Sequence, residues 1–261
     1  MSFKLNDKHL FESLESADLL DVSRLDIFWE TKPEIIERLL PPPLKPGDRP
    51  IAFAYTANFG GTNFGIATYK ESAVFISCKY NGEDGMYCLS MPVNHDIAMA
   101  LGREMFGYPK KMATIHLEKS KGKAIGWTER HGIRINEMKA SFLREISEEK
   151  SIELGLGKFA GTNITYLFKH FPFPSSKSSS LEFDYKPRLV KSPTESITTK
   201  MFVGKGSIKF QPSNDDPWHE LKVEKMLGAA YKLCTVKMLP AEFIAEVEPD
   251  EFMPYAYLKW D

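Results

Sequence analysis

Two adjacent lysines, Lys110 and Lys111, follow Gly107-Tyr108-Pro109 and precede a strand-like run from Met112 to Leu117. A lysine amine is a nucleophile only after losing its proton, and apolar burial disfavours the charged form. The neutral amine attacks a carbonyl and, with loss of water, gives a Schiff base. The protonated imine is an electron sink that needs no bound cofactor. Desolvation or a neighbouring cation activates such a lysine. On extended backbone, consecutive side chains point to opposite faces. Two adjacent ammonium groups are then poorly placed to touch, which favours burial as the activating influence. Lys111 shares parity with Ala113, Ile115 and Leu117, and Lys110 with Met112, Thr114 and His116. Periodicity leaves open which lysine faces inward. By itself the pair reads as readily as two solvated lysines at a strand edge.

Gly102-Arg103-Glu104 with Tyr108-Pro109-Lys110-Lys111 resembles the signature of the acetoacetate decarboxylase family. Tyr69-Lys70-Glu71-Ser72 resembles a second family segment, whose glutamate lines the active site. Asp216-Pro217, Leu221 to Lys225 and Gly228 to Tyr231 are similar to its C-terminal third. The resemblance runs from about residue 20 to the C-terminus and implies roles. Lys110 would form the Schiff base, Lys111 would lower its neighbour's pKa by charge, and Glu71 would orient substrate or relay a proton. The family's namesake is the usual example of a lysine activated this way, so that mechanism comes with the resemblance. The resemblance also implies a mainly β, α+β fold, a closed cone-like antiparallel barrel with a few peripheral helices, and assembly into a homo-oligomer.

The chain departs from the family pattern near its substrate-recognising groups. Val22 stands where the family carries an arginine; Arg24, two residues on and of the same parity, is the candidate replacement. A second family glutamate has no acidic counterpart in Ala52 to Thr56. Met91 and Tyr108 are candidates for an apolar wall against the substrate.

The elements that must hold these residues read as follows. Residues 1–20 form a partly helical arm and residues 21–261 a single domain. Thr31 caps a short helix that Pro41 to Pro43 ends. Residues 51–56 and 65–69 are strands around a glycine-rich turn, and Ser72 to Met91 is a hairpin across Asn81 to Asp84. Asn94 to Met105 is an amphipathic helix stopped by Gly107 and Pro109. Further strands cover Met112 to Leu117, Lys123 to Thr128, Ile133 to Phe142 and Ile164 to Phe171. Glu145 to Glu153 is a charged loop or short helix, and Pro172 to Ser180 a loop. Ser196 to Phe210 reads as a hairpin turning at Gly204 to Gly206, followed by strands from Val223 and Phe243. Many short strands with frequent turns favour a barrel or sandwich.

Composition narrows the function class. A net charge of −1 over 261 residues argues against a nucleic-acid surface. No run of about 18 apolar residues suggests a membrane span. Residues 1–20 lack the basic start and apolar core of a secretory signal. An odd cysteine count (Cys78, Cys88 and Cys234) suits reduced thiols and a cytoplasmic location. The six histidines show no metal-ligand spacing. The leading expectation is a cofactor-independent decarboxylase of acetoacetate or a related 3-oxo acid. The alternatives are an aldolase-dehydratase acting on pyruvate or another 2-oxo acid, and a barrel that binds a small acid without turning it over.

Overall fold

The computed structural model describes residues 17–63, 65–153, 161–174 and 181–256. Its strands are β1 (Ala17–Glu30), β2 (Ile51–Phe59), β3 (Tyr69–Tyr80), β4 (Glu83–Val93), β5 (Lys110–Met112), β6 (Thr114–Ser120), β7 (Lys123–Arg130), β8 (Ile133–Ile146), β9 (Gly161–Lys169), β10 (Arg188–Phe210), β11 (Lys225–Met238) and β12 (Glu242–Glu246). The helices are α1 (Pro33–Leu39), α2 (Asp96–Leu101), α3 (Glu148–Glu153) and α4 (Pro249–Ala256). The chain is thus mainly β, with few helices.

Strand pairings close on themselves in the order β1–β2–β3–β4–β9–β10–β11 and back to β1. Closure removes the exposed edges that an open sheet would leave. The pairings are antiparallel apart from two short parallel ones, β4 with β9 and β4 with β5. From Met201 on, β10 pairs with β8, while still paired with β11 as far as Gly204, and β8, β7 and β6 continue as a flap.

Alternation along β1 separates two cores. Leu25, Ile27 and Trp29 face one cluster together with Leu117, Ala124, Ile135 and Met138 of the flap. Val22 and Phe28 face the other, with Phe53, Phe75 and Met91. Successive strand residues point to opposite faces, so one sheet carries a packed layer under the flap and a second, chamber-lining layer.

The hairpin β3–β4 turns at Asn81 and Gly82, with φ of 48° and 85°. Positive φ at both central residues is the geometry that favours Asn-Gly. The expected hairpin at Gly204 to Gly206 is a correction: β10 runs unbroken from Arg188 to Phe210. A Cβ on Gly204 would lie 2.0 Å from the Ser141 carbonyl oxygen, and one on Gly206 2.7 Å from Ala229 Cβ. Both glycines serve close approach of neighbouring strands, not a turn. Helix α1 starts one residue later than expected: Lys32 is its N-cap, with no side-chain cap bond, so Thr31 does not cap it. Helix α4 was not foreseen, although Pro249, Asp250 and Glu251 form an ordinary helix start. It buries Phe252 against Phe168, with ring centroids 4.7 Å apart. Of the expected N-terminal arm, residues 17–20 belong to β1; the rest lies outside the described residues. The expected loop at 172–180 contains a short strand, Pro172–Pro174, paired with Leu181–Phe183; residues 175–180 lie outside the described residues.

Candidate active site

Lys110 lies at the start of β5, where the chain leaves a helix and joins the ring. Helix α2 passes directly into a π-helical turn, Gly102–Phe106, and Gly107 ends it with φ of 92°. A left-handed residue is a common helix stop and suits glycine. His95 Nδ1 caps the other end of α2, accepting from the Ala98 amide at 3.4 Å. β5 then pairs in parallel with β4, Met91 opposite Lys110, and the Met91 amide donates to the Pro109 carbonyl at 3.0 Å. The lysine backbone is thereby held from both sides.

Lys110 Nζ donates to Glu71 Oε2 at 2.6 Å, and both residues are buried. Tyr55 OH donates to the other oxygen, Glu71 Oε1, at 2.5 Å. Register explains this contact. Tyr55 pairs with Ala73, two residues from Glu71 on the same face of β3. Such diagonal neighbours lie within reach of long side chains. Burial, and then the Glu71 carboxylate, push the Tyr55 phenol well above its ordinary pKa. Its hydroxyl therefore remains a donor to Glu71.

These groups open onto a chamber of about 510 Å³. Arg24, Met91 and Tyr108 line it with Lys110 and Glu71, so five of the six residues singled out from sequence meet at one place. Tyr69 and Tyr108 present their rings to Lys110 Nζ, each centroid 5.9 Å away. The Arg24 guanidinium sits 5.0 Å from the centre of the Tyr55 ring. Its Nε lies 2.7 Å from Asp26 Oδ1, and Lys232 Nζ is 3.2 Å from Asp26 Oδ2. Burial, reinforced by the Arg24 charge and opposed by Asp26, lowers the Lys232 pKa.

Lys111 is not brought into the chamber. Its Nζ donates to the Asp215 carbonyl at 2.7 Å and to Asp216 Oδ1 at 3.2 Å. Arg130 Nε holds the second Asp216 oxygen at 2.6 Å. The two lysines project to opposite faces of β5, as adjacent residues on extended backbone must. Lys111 thereby ties β5 to the segment between β10 and β11. Tyr55 and Tyr69 were missed from sequence. The alternation Phe53, Tyr55, Ala57, Phe59 marks an aromatic face, but the pairing of Tyr55 with β3 depends on a register set across the long turn between them. Cys78, Cys88 and Cys234 are buried free thiols. No helix among the described residues is long and apolar enough to cross a membrane.

The acetoacetate decarboxylase family model matches residues 11–247, and the chain belongs to that family. It is 28% identical over 239 residues to a CLA biosynthesis isomerase of Lactiplantibacillus plantarum, covering 88% of this chain and 83% of the relative. It is 26% identical over 213 residues to an acetoacetate decarboxylase of Chromobacterium violaceum, covering 81% of each. The solved acetoacetate decarboxylase of Legionella pneumophila superposes with a TM-score of 0.76 at 21% identity, covering 88% of each chain. At that identity the superposition speaks for the fold alone.

Proposed function

We propose that this chain is a Schiff-base enzyme in which Lys110 forms the imine, and that it decarboxylates acetoacetate or a related 3-oxo acid. The buried contact between Lys110 and Glu71 carries the reading. Lys110 must give up its ammonium proton before it can attack a carbonyl, and Glu71 Oε2, 2.6 Å away, is placed to take it. That transfer leaves a neutral amine beside a carboxylic acid.

The amine attacks the ketone carbon, and the carbonyl oxygen departs as water after receiving two protons. The product is a protonated imine: two of the three original ammonium hydrogens leave in the water, and one stays on the nitrogen with the positive charge. The bond from the α-carbon to the carboxylate then breaks. Its electron pair moves into the iminium to give an enamine, and carbon dioxide leaves. Glu71, which gave its proton to the departing water, takes one up from solvent and passes it to the enamine carbon, and hydrolysis of the resulting iminium releases the ketone and frees the lysine. Tyr55 holds the second Glu71 oxygen and so keeps the carboxyl aimed at the amine. Arg24 supplies positive charge for a substrate carboxylate, while Met91 and Tyr108 exclude water.

A second reading keeps the imine but loses no carbon dioxide. Glu71 sits beside the amine, where it can take a proton from one carbon of an iminium and return it to another. The name of the Lactiplantibacillus plantarum relative, an isomerase, supports that reading. Family membership also supports a homo-oligomer, which light scattering of the purified protein would reveal.

The test is borohydride reduction in the presence of acetoacetate or, separately, pyruvate, with mass spectrometry of the digest and assay of released carbon dioxide. A reduced adduct on Lys110 with carbon dioxide from acetoacetate supports decarboxylation. An adduct without carbon dioxide favours isomerisation. Stronger labelling by pyruvate moves the chain toward 2-oxo acid chemistry. An unlabelled Lys110 with both would sink the Schiff-base reading.

A further inference from the structure

We infer that the substrate carries a long aliphatic arm beyond its reacting carbonyl, a deepening that rests on the Schiff-base reading of Lys110. The chamber measures about 510 Å³. A cavity of about 150 Å³ holds benzene, or about 25 Å³ for each heavy atom. By that measure the seven heavy atoms of acetoacetate need only about 175 Å³. Roughly 335 Å³ then remains, enough for about thirteen further carbons.

The chemistry of the lining says what fills that space. Among the described residues around the chamber, the charged ones are Arg24, Glu71 and Lys110. Glu71 and Lys110 neutralise one another at 2.6 Å, and Arg24 is paired with Asp26 at 2.7 Å. A second anionic group on the substrate would find no further cation there. The wall away from the lysine is uncharged and mainly apolar: Leu19 and Val236 face one another across the β1–β11 pairing with Met238 beside them, and Thr194 and Ser196 of β10 add two hydroxyls. In the ring, β11 lies three strands from β4, the strand that holds β5. Helix α2 and the turn after it add Leu101, Met105 and Phe106. A carbonyl held at Lys110 therefore has an apolar path across the ring, of the kind that takes an alkyl chain.

The experiment uses methyl ketones of increasing length, from acetone to methyl nonyl ketone, each trapped on the protein with borohydride. Methyl ketones form imines whether the natural reaction is decarboxylation or isomerisation. The half-saturation concentration for labelling Lys110 should fall about fourfold with each added methylene. Val236→Phe, which narrows the far wall, should reduce the preference for methyl nonyl ketone over acetone by about tenfold or more. Labelling by acetone with no gain, or a loss, along the wild-type series would overturn the long-arm inference and leave the Schiff-base reading standing. Failure of every ketone to label would overturn both. The wild-type series decides the matter even if the variant does not fold.

Discussion

Lys110 and Lys111 show how far one residue's step along a strand separates two fates. Lys110 reaches a carboxylate that itself holds a tyrosine; Lys111 reaches a carboxylate shared with an arginine. Lys110→Ala should abolish borohydride trapping, whereas Lys111→Ala should keep it and lose stability. The loss includes two charged hydrogen bonds, to the Asp215 carbonyl and Asp216 Oδ1, each about 1.5–3 kcal/mol, read as a lower urea midpoint. Equal and total loss of trapping in both variants, with both folded, would overturn this division of roles. Tyr55→Phe removes the donor to Glu71 Oε1 and should lower turnover about 10- to 100-fold while trapping persists. Gly102 bears on the same point. A Cβ there would sit 2.6 Å from Lys110 Cδ and Cε. Those atoms belong to a flexible side chain, so Gly102→Ala should leave the thermal midpoint nearly unchanged and push the amine off Glu71. Normal trapping in that variant would show that the lysine has another route to its working position.

At the scale of elements, the site depends on four strands from the first half of the chain. Glu71 comes from β3, Tyr55 from β2, Lys110 from the link between a helical turn and β5, and Arg24 from β1. Glycine marks where neighbouring strands crowd. At Gly204 the obstruction is backbone, the Ser141 carbonyl at 2.0 Å from an added Cβ, beside the bulge between Phe142 and Arg144. Unlike Gly102, this neighbour cannot swing aside. Gly204→Ala should therefore cost about 1–3 kcal/mol through strain between β8 and β10, measured by urea unfolding. An unchanged midpoint would show that the Ser141 carbonyl can give way after all.

For the whole molecule, the buried phenols and thiols set how stability responds to alkali. Burial chiefly raises the pKa of Tyr55, Tyr69, Tyr87 and Tyr108, and of Cys78 and Cys88. These acids keep their protons in the folded state after the unfolded chain has released them. The folded state then binds more protons, so stability falls as pH rises. The loss begins near pH 9 for the thiols and pH 10 for the phenols, their ordinary values. Each such group contributes about 1.4 kcal/mol for each pH unit beyond that. Tyrosinate absorbance from these four should appear together with loss of near-ultraviolet circular dichroism. Ionisation of all ten tyrosines in a still-folded protein would contradict their burial.

Much of this was legible in the residues themselves. Gly107 and Pro109 ended the helix because backbone geometry at those residue types is local, and Asn81-Gly82 announced its turn for the same reason. Strand parity alone sent the two lysines to opposite faces. The family signature singled out Lys110 and Glu71, and Arg24 shared the parity of the missing arginine. What the tertiary structure decided was pairing. The inward direction of Lys110, the diagonal contact of Tyr55 with Glu71, and the straight run of β10 through two glycines all depend on the register between paired strands. So does the size of the chamber, because its walls come from opposite sides of the closed ring. Local propensity records which face a side chain takes, but not what stands across from it.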